Sequence, residues 1–317
     1  MRPVGQAQNR TVVLFLHKMP SPPPDPASQK AVTEPPESAD SRVVGVLDSG
    51  AGGLSVLPAL RAAMPGTRFI YVADSGYAPY GERSDDWVQT RCAALTAFLR
   101  SRGAAMLVLA CNSATAAAAA ALRARYPQWP IVGIEPGVKP AVLQSPTGRI
   151  GVMATTATLR SPRYARLLTE HGLGAQVLAQ ACTGLAMAIE RGAADEIARL
   201  VALHTAPLKR AQVDTVVLGC THYPFARPWI EAAMGPGVRI VDTAEAVARH
   251  TAQLMKSQAP GLSTPMADTP RGDEFWTSGP PEGLASFAEH WLGWRIRVSK
   301  LDVLAPATAP DAAAQDR

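Results

Sequence analysis

Two of the four cysteines sit at equivalent places in the chain. In residues 215–225, TVVLGCTHYPF, a continuous apolar and β-branched run stops at Gly219 and delivers Cys220 to a polar elbow of Thr221 and His222, where Pro224 suits a helix start. In residues 106–115, MLVLACNSAT, the same plan delivers Cys111 to an elbow of Asn112 and Ser113, then to an alanine-rich helical stretch reaching about Arg125. A thiol at the carboxyl end of a buried strand faces the crevice where open α/β sheets bind ligands, and nearby free N–H groups favour its thiolate. A thiolate takes a proton and a thiol gives one. Two such groups in opposite protonation states, on opposite sides of a carbon acid, would strip hydrogen from one face and deliver it to the other. That inverts the carbon without redox chemistry or a cofactor, provided the site excludes water and aims fixed donors at the substrate carboxylate to stabilise a carbanion. Asp48 and His222, each at an elbow beside a strand end, are placed to hold protons near the thiols.

The elements that must position these groups repeat. Cys111 and Cys220 are 109 residues apart, and the strand-and-loop segment at 43–57 (VVGVLDSGAGGLSVL) resembles that at 149–159 (RIGVMATTATL) at an offset of 106. Each half thus supplies an opening strand with a polar loop and a later strand ending in Cys. Further strands are expected at 68–73, 130–135, near 175–179, at 238–241, 274–278 and 295–298. Helices are expected at 54–64, 85–102, 136–143, from 161, and at 185–191, 194–208, 244–255 and 281–291, with a Thr-rich loop after residue 154 and a loop at 257–271. Cys92 falls on the apolar side of its helix and Cys182 in a turn, both as core fillers. The loop DSGYAPYGER, holding Asp74, Tyr80 and Gly81, is a long Gly- and Pro-marked connection of the kind that carries function. The expected architecture is α/β, with two pseudo-symmetric lobes of mainly parallel sheet flanked by helices and the site between them. The first lobe takes 42–137 plus 247–303, and the second takes 138–246. Residues 1–41, rich in Pro, and the tail 304–317 are expected to be disordered.

Bulk properties narrow the class. The 317 residues, 47% hydrophobic and 18% charged, suit a globular protein of two ordinary lobes. No apolar run nears the roughly 18 residues that cross a bilayer, so no membrane association is expected and the cytoplasm is the expected location. Net charge is +5 and pI about 9.2, but the basic residues are scattered and not interleaved with aromatics, so no nucleic-acid partner is expected. The four cysteines lack CxxC spacing, which argues against a zinc site and for free thiols; no metal is expected. Gly50, Gly52 and Gly53 do not fit a dinucleotide fingerprint, and Lys139 has no phosphate loop to serve pyridoxal phosphate, so no cofactor is expected.

Six stretches carry a resemblance: LDSGAGGLSVL at 47–57, ADSGYAPYG at 73–81, ACNSAT at 110–115, IVGIEPGVKPA at 131–141, GCTHYPF at 219–225 and VDTAEAVA at 241–248. In order and over most of the chain, they resemble the cofactor-independent aspartate/glutamate racemase superfamily. The resemblance implies interconversion of L- and D-glutamate for peptidoglycan, with glutamate as the small-molecule substrate and a homodimer allowed. It implies Cys111 and Cys220 as the acid/base thiols, assisted by Asp48 and His222. It implies substrate contacts from Asp48, Ser49, Tyr80, Gly81, Asn112, Ser113, Thr221 and His222. Thr155, Thr158 and Glu190 match more loosely, and Glu190 is left out of the site because the fit around Cys182 is loose. The alternatives are an aspartate or hydantoin racemase of the same superfamily, and a two-lobed small-ligand binding protein with idle thiols, which would bind without hydrogen exchange in heavy water.

Overall fold

The computed structural model describes residues 43–172, 174–258 and 272–303. The expectations for 1–41, for 304–317 and for most of the 257–271 loop lie outside the described residues.

Continuous apolar runs become strands buried on both faces, the signature of parallel sheet covered by helices. β1 (Val43–Asp48) is buried at every position, and β7 (Thr215–Gly219) likewise. The first sheet has six strands, β10-β9-β2-β1-β3-β4, built from β1, β2 (Arg68–Ala73), β3 (Met106–Leu109), β4 (Ile131–Gly133), β9 (Glu274–Thr277) and β10 (Val298–Lys300). The second has four, β6-β5-β7-β8, from β5 (Arg149–Ala154), β6 (Gln176–Ala181), β7 and β8 (Arg239–Val241). Every ladder among the described residues is parallel. The order 2-1-3-4 of the first sheet recurs as 6-5-7-8 in the second. Leu47 pairs with Leu109, and Met153 pairs with Leu218, so each cysteine stands two residues beyond an equivalent rung. The repeat read in the sequence is therefore a repeat of topology and register.

The helices that matter to the site are α1 (Leu57–Ala63), α2 (Asp85–Ser101), α3 (Asn112–Arg125), α5 (Thr156–Arg160, after α4 at Val138–Gln144), α7 (Leu185–Glu190, after α6 at Pro162–His171), α9 (Arg227–Met234, after α8 at Ala194–Arg210) and α11 (Pro281–Leu292, after α10 at Ala244–Gln258). One apolar cluster takes Val44, Phe69 and Val108 from the first sheet and Met153, Val216 and Leu218 from the second. Cys92 and Cys182 are buried in the core, as expected, and Lys139 is exposed.

Three local expectations are corrected. The helix expected at 54–64 opens as a 3-10 turn at Gly52–Ser55, and α1 begins only at Leu57, where Pro58 fits the first turn. The Thr-rich stretch expected as a loop forms α5, because the Thr155 hydroxyl caps it by accepting from Thr158 N at 3.2 Å. The final strand lies at Val298–Lys300 rather than 295–298, where it pairs with Phe275, Trp276 and Thr277.

Candidate active site

The strand ends β1, β3, β5 and β7 meet at one cleft of about 650 Å³, its open mouth included. Both Cys111 and Cys220 line it. So do Ser49, Tyr80, Gly81, Asn112, Ser113, Thr221 and His222 from the expected set, and Thr155 and Thr158 from the looser one.

Cys111 is the N-cap of α3, its sulfur accepting from Ala114 N at 3.4 Å and lying 3.4 Å from Ser49 Oγ. Burial, and next the Asp48 carboxylate, push the thiol up to about 12 against the two hydrogen bonds. At neutral pH this sulfur keeps its proton. Cys220 is more open, and its sulfur lies 3.8 Å from His222 Nδ1. Burial works to lower the His222 pKa, but the bonds to Cys220 and Glu190 outweigh it and hold the imidazole well above its ordinary range. The ring is thus a cation at neutral pH.

The ring's other nitrogen meets Glu190, at the end of α7. Burial alone would raise that carboxyl, yet His222, the Ala51 N–H and Ser75 hold it below the usual carboxylate range. Glu190 lines the cleft and ties the loop after β1 to the ring beside Cys220, so its exclusion from the expected site is corrected. The family resemblance did carry that signal, weakly, because the Cys182 turn before α7 fits poorly.

Asp48 is not among the residues that line the cleft. It is fully buried beneath it, accepting from Gly50 N at 2.8 Å and Thr221 Oγ1 at 3.0 Å. Burial raises it to about 6, with the His222 charge the main opposing influence. Tyr80 donates its hydroxyl to Oδ2 of the buried Asp74 at 2.6 Å. Ser113, Thr155 and Thr158 form a row of hydroxyls with spacings of 3.3 and 3.0 Å. Asn112 is buried, and its side-chain oxygen has no hydrogen-bond partner within the protein.

Ser75, Ala78, Pro79, Ala186 and Met187 also line the cleft and were not anticipated. Ser75 follows Asp74 in a motif already singled out; α7 had no polar pattern to flag Ala186 and Met187. No Arg or Lys stands among the described residues of the lining, so an anionic ligand meets N–H and O–H donors, with the His222 ring the one cation beside them among the described residues. Among the described residues no group of three or more His, Cys, Asp or Glu is arranged to hold a metal ion, and no helix is long and apolar enough to cross a membrane.

Comparison with known proteins follows the same lines. The Asp/Glu/Hydantoin racemase family model matches residues 53–251. A glutamate racemase of Pseudomonas paraeruginosa is 44% identical over 268 residues, covering 84% of this chain and 100% of that protein. The crystal structure of glutamate racemase isoform RacE1 from Bacillus anthracis superposes with a TM-score of 0.73 at 34% identity, over 82% of this chain and 97% of that one. That of Escherichia coli glutamate racemase, in complex with L-glutamate and the activator UDP-MurNAc-Ala, superposes with a TM-score of 0.72 at 29% identity, over 83% and 98%.

Proposed function

The chain belongs to the Asp/Glu/Hydantoin racemase family, and from that premise we propose that it interconverts L- and D-glutamate by two-base proton transfer, Cys111 and Cys220 serving opposite faces of Cα. The observation that carries the reading is that two thiols on equivalent strand ends line one cleft in unlike electrostatic surroundings. Cys111, near the Asp48 carboxylate, holds a proton. Cys220, beside the His222 cation, is where negative charge on sulfur is attracted.

In one turnover the Cys220 thiolate takes the Cα proton. The C–H electron pair stays on Cα and spreads into the α-carboxylate, and the Cys111 thiol gives its proton to the opposite face. The thiols then hold exchanged protonation states, which is the state that the other enantiomer needs. The developing charge on the carboxylate is met by the first-turn N–H groups of α3 at Asn112 and Ser113; a donor of this kind contributes about 10²–10³ in rate. The unpartnered Asn112 oxygen accepts from the substrate ammonium, and the row Ser113, Thr155 and Thr158 offers hydroxyls to the distal carboxylate. D-Glutamate made in the cytoplasm for peptidoglycan is the use this reading assigns.

The test is racemisation of glutamate and of aspartate, each followed by chiral chromatography in heavy water. Glutamate is expected to turn over faster, with one deuterium entering at Cα per inversion. Faster aspartate turnover overturns the substrate assignment. Absence of Cα exchange from both amino acids overturns this catalysis and leaves a hydantoin racemase or a binding protein.

A further inference from the structure

Arg91, on α2, is wholly buried and has no place in the chemistry just described. A guanidinium taken out of water needs a matched partner, and this one meets the connection between β2 and α2 at Asp74 and Tyr77. Its Nε donates to Asp74 Oδ2 at 2.8 Å and its Nη2 to Asp74 Oδ1 at 2.7 Å. Tyr80 donates to that same Oδ2, and the guanidinium lies 4.4 Å over the Tyr77 ring. Its Nη1 donates to Val303 O at 2.7 Å, which adds the segment after β10 to the same centre.

That connection, residues 74–84, contains only two 3-10 turns, Ser75–Tyr77 and Tyr80–Glu82, so its own backbone bonds do little to fix its path. Yet Ser75, Ala78, Pro79, Tyr80 and Gly81 form one wall of the cleft, and they line it together with the Glu190 that partners His222. We propose that Arg91 is a positioning residue for substrate binding, clamping the 74–84 connection so that its wall and Ser75 hold their places in the free protein. The proposal rests on the racemase reading for its kinetic half only. A lysine cannot substitute: one ammonium does not reach both carboxylate oxygens and the Val303 carbonyl while stacking on Tyr77.

The test compares Arg91→Lys with Leu99→Ala, a fully buried core position two turns further along α2. Arg91→Lys is expected to raise KM for glutamate at least tenfold with a smaller change in kcat. It should also speed amide hydrogen exchange at 75–83 in the free protein while β1 stays protected. Leu99→Ala should lower the melting temperature at least as far yet leave KM within twofold and exchange at 75–83 unchanged. Should Arg91→Lys not fold, Asp74→Asn keeps the guanidinium, weakens the same fork and should give the same pattern at smaller amplitude. A folded variant with wild-type KM and wild-type exchange at 75–83 overturns the clamp, as does an equal KM rise in Leu99→Ala. If the wild-type protein does not racemise glutamate, the racemase reading fails while the exchange measurement still decides the clamp.

Discussion

Thr221 donates its hydroxyl to Asp48 Oδ2 over 3.0 Å, tying the elbow that carries Cys220 to the end of β1, next to the Ser49 that touches Cys111. The bond leaves a carboxyl fully buried under the cleft and raised to about 6, burial being the main cause. In the unfolded chain the same group titrates near 3.8. Between those values the folded protein keeps a proton that the unfolded chain has lost, so Asp48 favours folding toward acid and disfavours it fully above about pH 6. The gap corresponds to about 3 kcal/mol. Asp48→Asn is therefore expected to stabilise the protein by roughly 1–3 kcal/mol at pH 8, with little gain at pH 4, while racemisation falls at least about 100-fold. Urea unfolding at the two pH values checks the first part; equal effects at both would show that Asp48 is not ionised at a cost.

Each sulfur is irreplaceable if each serves one face. Cys111→Ala and Cys220→Ala are expected to fold and each to lose racemisation by about 10³-fold or more, since a general acid or base contributes about 10²–10⁴ and no neighbour can take its place. Chiral chromatography after long incubation measures the loss. Full turnover by either variant would end the two-thiol account.

The pairing of Glu190 with His222 sets the charge beside Cys220. Because the folded His222 pKa is raised, its contribution to stability is complete below about 6.5 and disappears as pH climbs through the higher folded value. Glu190→Gln removes the partner and brings that folded value down. The variant is expected to lose on the order of 3 kcal/mol at pH 5–7, with a smaller loss at alkaline pH. The alkaline limb of its kcat/KM profile should move to lower pH. A profile that keeps its wild-type position would mean that Glu190 does not govern the ring.

These groups differ in how plainly the sequence announced them. The cysteine elbows were legible because a β-branched run ending in Gly fixes both the strand and the residue after it. The duplication was legible because both halves keep the same register. Glu190 was not, since its side chain reaches the cleft by way of α7 and bonds Ala51 N 139 residues away. Arg91 could not be told from any other helix arginine, because its burial depends on Asp74 and Val303 arriving from distant segments. Nor does Thr-rich composition reveal α5, which depends on one capping bond.

The loop after β1 brings its glycines against the residues that tune the site. A Cβ on Gly52 would stand 2.6 Å from Cε1 of His222, and one on Gly53 would stand 2.7 Å from Cβ of Asp48. The His222 ring cannot step aside freely, because Cys220 holds one nitrogen and Glu190 the other. Gly52→Ala should fold, since strain of this size costs about 1–3 kcal/mol, but it must displace the ring and is expected to lower kcat by roughly 100-fold. Gly283→Ala, in α11 with open space around it, is the matched control. It should keep full activity and stabilise the protein by about 0.4–1 kcal/mol, through the lower entropy of the unfolded chain. Steady-state kinetics and urea unfolding of the pair decide the matter: a Gly52→Ala variant with wild-type kcat would show that the ring's position is not what the chemistry depends on.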